Sequence, residues 1–427
     1  MHSLLRFLSC ITVLTSILTV SAQTIYTSTS DGSIYTANGQ ETTAMPYQHA
    51  AKTITIGNKH FTTNDIDSIT FHQPDLPYLG GDISLLPDYE AKGAQYLDLN
   101  GKAITNVLDF FKSQGWNCCR VRLFVDPTKA SDSDKKGGVV QSLDYVKALG
   151  KKIKEAGFLL MLDFHYSDSW ADPGKQTLPD SWKGKSTSEL TTALYDYTTE
   201  SLKEMKAAGA TPDFIQIGNE ITYGMLWPTG HIWPAGGGQD GGTWEVFAGY
   251  LKSASKACRE ECPDARIIIH TELSQSGNAT SFYSQVKNYN IDYDIIGLSY
   301  YPAYHNNLNT LNTVLTNLES QQKGKPIMIV ETGYGYKWAM PGTTFDYTAT
   351  YPYSEDGQAN FVADLVSTLK KHKAVKGLFW WWAEANEHGI DWQNAVTSGW
   401  NNAALFDQET GKALKAFSKM KAFKERP

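Results

Sequence analysis

Asp213-Phe-Ile-Gln-Ile-Gly-Asn-Glu220 is a short apolar run that ends in an acid. It has strand length and sits between two helix-periodic segments, Ser188 to Ala208, closed by Gly209, and Thr243 to Glu261. The same theme recurs along the chain. Strand-like runs occur at Gly81–Leu86, Cys118–Val125, Phe158–Phe164, Phe214–Gly218, Arg266–His270, Asp294–Tyr300, Ile327–Val330 and Gly377–Trp382. Helical periodicity lies between them, as at Ser142 to Ala156, Gly357 to His372 and Thr410 to Lys424. The strand runs are continuously apolar instead of alternating, so both of their faces are covered. Eight strands each followed by a helix predict a (β/α)8 TIM barrel over residues 78–427. The rival is a doubly wound open sheet, which is weakened because no G-x-G-x-x-G follows an early strand. Gly236-Gly-Gly238 and Gly241-Gly242 fall in a long loop and read as loop flexibility, not as a phosphate cradle.

In such a barrel the site lies at the C-terminal ends of the strands. Glu220 closes the fourth strand, and Pro326-Ile-Met-Ile-Val-Glu331 places a second glutamate at the end of the seventh. A carboxylate is rarely set at the tip of a buried strand unless it is paired or used. Strands four and seven face each other across the mouth, so the pair predicts a two-carboxylate glycosidase. One carboxyl must hold a proton before bond cleavage and the other must stay ionised. Arg122, in Arg120-Val-Arg122-Leu-Phe-Val-Asp126, is expected to keep the second one charged. Ion pairing at the barrel mouth is the plainer reading of both arginines.

A long polar and aromatic stretch follows the third strand: Leu162-Asp-Phe-His-Tyr-Ser-Asp-Ser-Trp170, then Ala171-Asp-Pro-Gly174. Asp163, His165, Asp168 and Trp170 are expected around the mouth, in contact with sugar hydroxyls. Metal binding is the alternative for this Asp/His cluster, but its spacing matches neither an EF-hand nor H-E-x-x-H.

Taken together, several motifs resemble glycoside hydrolase family 53, the endo-β-1,4-galactanases. They are Gly81-Asp-Ile-Ser84, Arg120–Pro127, Asp163–Asp168 with Trp170–Pro173, Gln216–Glu220, Ile296–Pro302, Glu331–Tyr334 and Ala404–Asp407. The resemblance covers about residues 78 to 420 and implies retaining endo-hydrolysis of β-1,4-galactan, a pectin side chain. Glu220 matches the acid/base position and Glu331 the nucleophile. Asn219 would hold the sugar 2-hydroxyl, and Tyr300 or Tyr301 would hydrogen-bond the nucleophile. Neighbours on a strand point oppositely, so one of the two tyrosines faces the site. Trp382 would floor the innermost sugar subsite, with Trp227, Trp233, Trp338, Trp392 and Trp400 as platform candidates. No cofactor is required. A structural calcium in the late loops would draw on Asn386, His388 and Asp391. Two alternatives stay open: another retaining barrel glycanase such as a mannanase or cellulase, and a non-catalytic glycan-binding protein.

Of 427 residues, 12% are aromatic, with 12 Trp and 23 Tyr, which suits a sugar-binding surface and equally a large core. The net charge of −7 argues against non-specific nucleic-acid binding. Residues 1–22 read as a secretory signal: Arg6, the apolar run Ile11 to Val20, and the small-residue site Val20-Ser-Ala22. That run is too short for a membrane span, so export as a monomer to the periplasm, cell surface or medium is expected. Residues 23–77 read as a β-rich leader or linker. Adjacent Cys118 and Cys119, and Cys258 and Cys262 one helical turn apart, are poorly placed to bridge and read as buried thiols.

Overall fold

The computed structural model describes residues 24–38, 47–48, 52–71, 73, 77–275, 277–396 and 398–425; the expected signal segment lies outside them. The chain divides into two compact units, Met1–Asp75 and Leu76–Pro427.

The first unit contains β1 (Thr24–Thr29), β2 (Ile34–Asn38), β3 (Tyr47–Gln48), β4 (Thr53–Ile56), β5 (Lys59–Thr62) and β6 (Ile66–Thr70). They pair antiparallel as two three-stranded sheets, β2-β1-β6 and β3-β4-β5. β4 alternates, with Ile54 and Ile56 buried and the threonines half-buried, as a strand with one covered face must. Ile25, Ile54, Ile56 and Phe61 form a separate small core.

The second unit is a closed barrel of β7 (Tyr78–Asp82), β8 (Cys118–Leu123), β9 (Leu159–Phe164), β10 (Phe214–Ile217), β11 (Arg266–Thr271), β12 (Ile295–Tyr300), β13 (Ile327–Thr332) and β14 (Val375–Trp380). All eight are parallel neighbours. β7 corrects the expected Gly81–Leu86. Pro87 opens a helix at Leu86–Ala91, so the strand lies further back. There Gly80 admits no side chain, because a Cβ would stand 1.8 Å from the Cys118 carbonyl oxygen.

Helices Leu143–Glu155, Thr187–Ala207, Trp244–Glu261 and Glu355–Lys370 fall within two residues of expectation. Ser142, Ser186, Thr243 and Ser354 cap them by accepting a backbone N–H of the first turn. Val107–Ser113, Asn278–Asn288 and Leu308–Gln321 complete the outer layer. The last helix is shorter than Thr410–Lys424 and spans Ala416–Lys421. Asp407 Oδ1 takes the Thr410 N–H, and Phe406 bridges Ala413, so the chain is still turning there. No helix among the described residues is long and apolar enough to cross a membrane. Cys118, Cys119, Cys258 and Cys262 are buried and free.

Alternation sorts the barrel strands. Cys119, Val121, Leu160, Leu162, Ile215 and Ile269 join the core beneath the helices. The other parity points inward. Its floor is apolar, as where Tyr78 meets Phe214 edge-on at 4.9 Å. Towards the mouth it turns polar: Asp82, Arg120, Arg122, Asp163, Gln216, His270 and Ser299 are all fully buried. β13 departs from strict alternation. Leu298 pairs with Ile329, but Ser299 pairs with Glu331, so Val330 is an extra residue. This bulge aims Glu331 inward where two-residue periodicity would have aimed Val330.

Candidate active site

A cleft of about 690 Å³ opens at the C-terminal ends of the strands. Glu220, Glu331, Asn219, Tyr301, Trp381 and Trp400 are among its lining residues. Glu220 reaches it through a local backbone break. Gly218 has φ 104°, and Glu220 itself is left-handed at φ 45°, ψ 51°. Such a conformation is uncommon for a residue with a side chain and marks strain at a used position.

Beneath the cleft lies one cation with many partners. Arg120 donates to Asp82 Oδ2 (2.9 Å), Asp163 Oδ2 (2.8 Å), Asn219 Oδ1 (2.9 Å) and Gln216 Oε1 (3.3 Å). Its Nη2 also ion-pairs with Glu331 Oε1 at 2.8 Å. The Tyr301 hydroxyl donates to Glu331 Oε2 at 2.8 Å. Among the described residues no cation pairs with Glu220; Ser299 donates to its Oε1 at 2.6 Å.

The proton inventory follows from these surroundings. Burial, then the nearby Glu331 and Glu272, push Glu220 well above the usual carboxylate range. Burial also raises Glu331, to about 7, against the opposing pull of Arg120 and Tyr301. Arg120 and Tyr301 thus favour the charged form of Glu331, and a proton shared by the pair is favoured on Glu220. Burial likewise raises Glu272, which lines the cleft, to about 7. Burial and Arg120 push His270 well below its ordinary value, so its ring is neutral.

A barrel with two unlike carboxyls in one cleft is an arrangement many glycosidases use, and sequence comparison decides among them. Residues 78–420 match the family described as Glycosyl hydrolase family 53. The chain belongs to glycosyl hydrolase family 53. It is a glycoside hydrolase. It is 33% identical over 364 residues to an arabinogalactan endo-beta-1,4-galactanase of Cellvibrio japonicus, covering 81% of this chain and 90% of that one. An arabinogalactan endo-beta-1,4-galactanase of Thermothelomyces thermophilus is 31% identical over 318 residues, covering 72% and 89%. The solved GH53 catalytic domain of Ignisphaera aggregans superposes with a TM-score of 0.71 at 31% identity, over 83% of this chain and 98% of that one.

Within this family 53 barrel several expected residues lie elsewhere than foreseen. Arg120, not Arg122, touches Glu331. Arg122 is enclosed by the rings of Trp381 (4.7 Å), Trp170 (4.9 Å) and Trp382 (5.8 Å), and its nearest carboxylate is Asp82 at 3.7 Å. Tyr301 faces the site; Tyr300 points to the helix layer, donating to the Asn306 carbonyl and stacking on Phe361. Asp163, His165 and Asp168 all hydrogen-bond to protein groups. Asp163 binds Arg120 and Gln216, and His165 Nδ1 accepts the Ala171 N–H. Asp168 pins two loops through the N–H groups of Asp126 and Asp180.

Trp170, Trp382 and Trp400 line the cleft, and Trp381 joins them. Trp227 is stacked on His231 at 3.7 Å, whereas Trp233, Trp338 and Trp392 are exposed. Asn386 Oδ1 accepts the His388 N–H and Asp391 Oδ1 the Gln393 N–H, each closing its own turn. Among the described residues no three His, Cys, Asp or Glu side chains gather to hold a metal ion.

Proposed function

We propose that this chain is an exported, retaining endo-β-1,4-galactanase that acts as a monomer without a cofactor. The observation that carries the reading is the unequal environment of the two glutamates in one cleft. Glu331 is held by Arg120 and Tyr301, which favour its charged form; among the described residues no cation pairs with Glu220, which favours its protonated form.

In the first step Glu331 attacks the anomeric carbon while Glu220 gives its proton to the departing glycosidic oxygen. The sugar is then covalently bound to Glu331, and Glu220 is ionised. In the second step Glu220 takes a proton from water, the water oxygen bonds to the anomeric carbon, and the sugar–Glu331 bond breaks. Asn219 supports sugar binding. Its amide donates to the Ala171 carbonyl and its oxygen accepts from Arg120, which leaves the second amide proton for a ring hydroxyl. Trp170, Trp381, Trp382 and Trp400 offer ring faces for the apolar sides of the sugars. The named relatives support β-1,4-galactan as the substrate, and the apolar segment at 11–20 supports export.

The test is reducing-end release from β-1,4-galactan, with mannan, cellulose and β-1,3-galactan in parallel. Selective release of short oligomers from β-1,4-galactan is expected, with the β-anomer appearing first by proton NMR. Activity confined to another polymer would discard the substrate, and an initial α-product would discard retention.

A further inference from the structure

Behind Glu220 lies a chain of hydrogen bonds that the two-step scheme does not use. Ser299 Oγ is 2.6 Å from Glu220 Oε1 and 2.8 Å from His270 Nε2. His270 and Ser299 are fully buried. The direction of each bond is fixed by counting protons. Gln216 Oε1 accepts from Arg120, so its other terminus is the amide nitrogen, and that nitrogen donates to Asp163 Oδ1 (2.6 Å) and His270 Nδ1 (2.8 Å). The Glu220 backbone N–H also points at Nδ1, at 3.3 Å. Asn219 Oδ1 also lies 3.1 Å from Nδ1, but it already accepts from Arg120, whereas the backbone fixes the direction of the Glu220 N–H; Nδ1 is therefore an acceptor and the His270 proton sits on Nε2. Nε2–H donates to Ser299 Oγ, and the one hydrogen of Ser299 must go to Glu220 Oε1. An oxygen that accepts this bond is disfavoured as the site of the acid proton. The proton is left on Oε2, which has no hydrogen-bond partner among the described residues.

We propose that Ser299 and His270 are positioning residues that select which oxygen of Glu220 carries the catalytic proton. Gln216 extends the selection to Arg120, which also holds Glu331, so one connected network sets the states of both carboxyls. The inference rests on the proposed role of Glu220 as acid. Without the Ser299 hydroxyl the proton is free to occupy either oxygen and the carboxyl is free to rotate. Misplacement on this scale costs about ten- to a hundredfold in rate.

The experiment measures kcat/KM of the full chain on aryl β-galactobiosides whose leaving groups run from dinitrophenol, which departs without a proton, to unsubstituted phenol, which needs one. Ser299→Ala is expected to lose about tenfold or more on the phenyl substrate and less than about twofold on the dinitrophenyl one. Ser299→Thr, which keeps a hydroxyl, is expected to restore the wild-type ratio. The ratio within one variant does not depend on how much of it is folded, so a less stable protein still gives an answer. An equal loss on both substrates, or none, overturns the positioning role. Glu220→Ala serves as the reference: full activity of that variant on the phenyl substrate would overturn the acid assignment itself.

Discussion

Replacing Tyr301 by phenylalanine removes one hydroxyl and keeps the ring. That hydroxyl donates to Glu331 Oε2 at 2.8 Å. The edge contact with Trp400 at 5.1 Å and the backbone N–H bond to His305 at 3.0 Å do not involve it. A hydrogen bond to an ionised group contributes about 1.5–3 kcal/mol, and 1.36 kcal/mol corresponds to about one pH unit. The bond favours the charged form of Glu331, so losing it raises the pKa from its value of about 7. The acid limb of kcat/KM follows ionisation of the nucleophile, and it should move up by about one to two pH units. At a pH below that limb, turnover of galactan should fall by about ten- to a hundredfold. The assay is the initial rate of reducing-end release across the pH range, wild type beside Tyr301→Phe. The alkaline limb, set by Glu220, should move much less. An acid limb that stays in place or moves down would refute the argument that Tyr301 keeps Glu331 ionised.

Glu331→Gln keeps the side-chain shape but removes the nucleophile; turnover should drop by about 10⁴ or more while calorimetric binding of galacto-oligosaccharides persists. Parallel loss of binding and of thermal stability would instead mark Glu331 as structural. Arg120→Met should destabilise by about 3–5 kcal/mol in urea unfolding, because it leaves Asp82, Asp163 and Glu331 buried without their shared cation. Without the cation that opposes their burial, Asp163 and Glu331 would have folded-state pKa values above their unfolded ones. They bind more protons when folded, so the deficit should shrink as pH falls; a deficit that grows on acidification would contradict this. Gly218→Ala forces a side chain into φ 104° with a Cβ 2.7 Å from Ile221 Cγ2. It should cost about 1–3 kcal/mol and lower kcat by tilting Glu220; an unchanged melting temperature would show that the turn relaxes freely.

The barrel was legible because most strands are largely apolar runs, as at Leu159–Phe164 and Ile327–Thr332, and because four of the helices announce their caps at Ser142, Ser186, Thr243 and Ser354. The two glutamates were legible as acids at strand tips. What escaped depends on register and partner counting, which sequence does not carry. Arg120 and Arg122 share a parity, and which one reaches Glu331 is set by their surroundings: Asp82, Asp163, Gln216 and Asn219 hold Arg120, while three indoles surround Arg122. Tyr301 over Tyr300 follows once Ser299 is known to face inward, since the two are two residues apart. The inward aim of Glu331 itself depends on the bulge at Val330, which strict alternation would deny. The protein partners of Asp163, His165 and Asp168 are likewise set by the fold and are not readable in the sequence. His270 carried the same signal as Glu220, a polar residue ending an apolar run, and that signal could have singled it out. Ser299 had only its place in Leu298-Ser-Tyr-Tyr301.

The four described cysteines have a practical consequence. They sit on β8 and at the end of Trp244–Glu261, fully enclosed, with burial pushing every thiol up. No oxidant is needed to assemble the barrel, so the enzyme should mature equally well in a reducing cytosol and tolerate dithiothreitol. A colorimetric thiol reagent would find none of these four thiols to label in the native fold. Labelling would begin only when β8 or that helix opens, which gives the molecule a built-in gauge of its own unfolding.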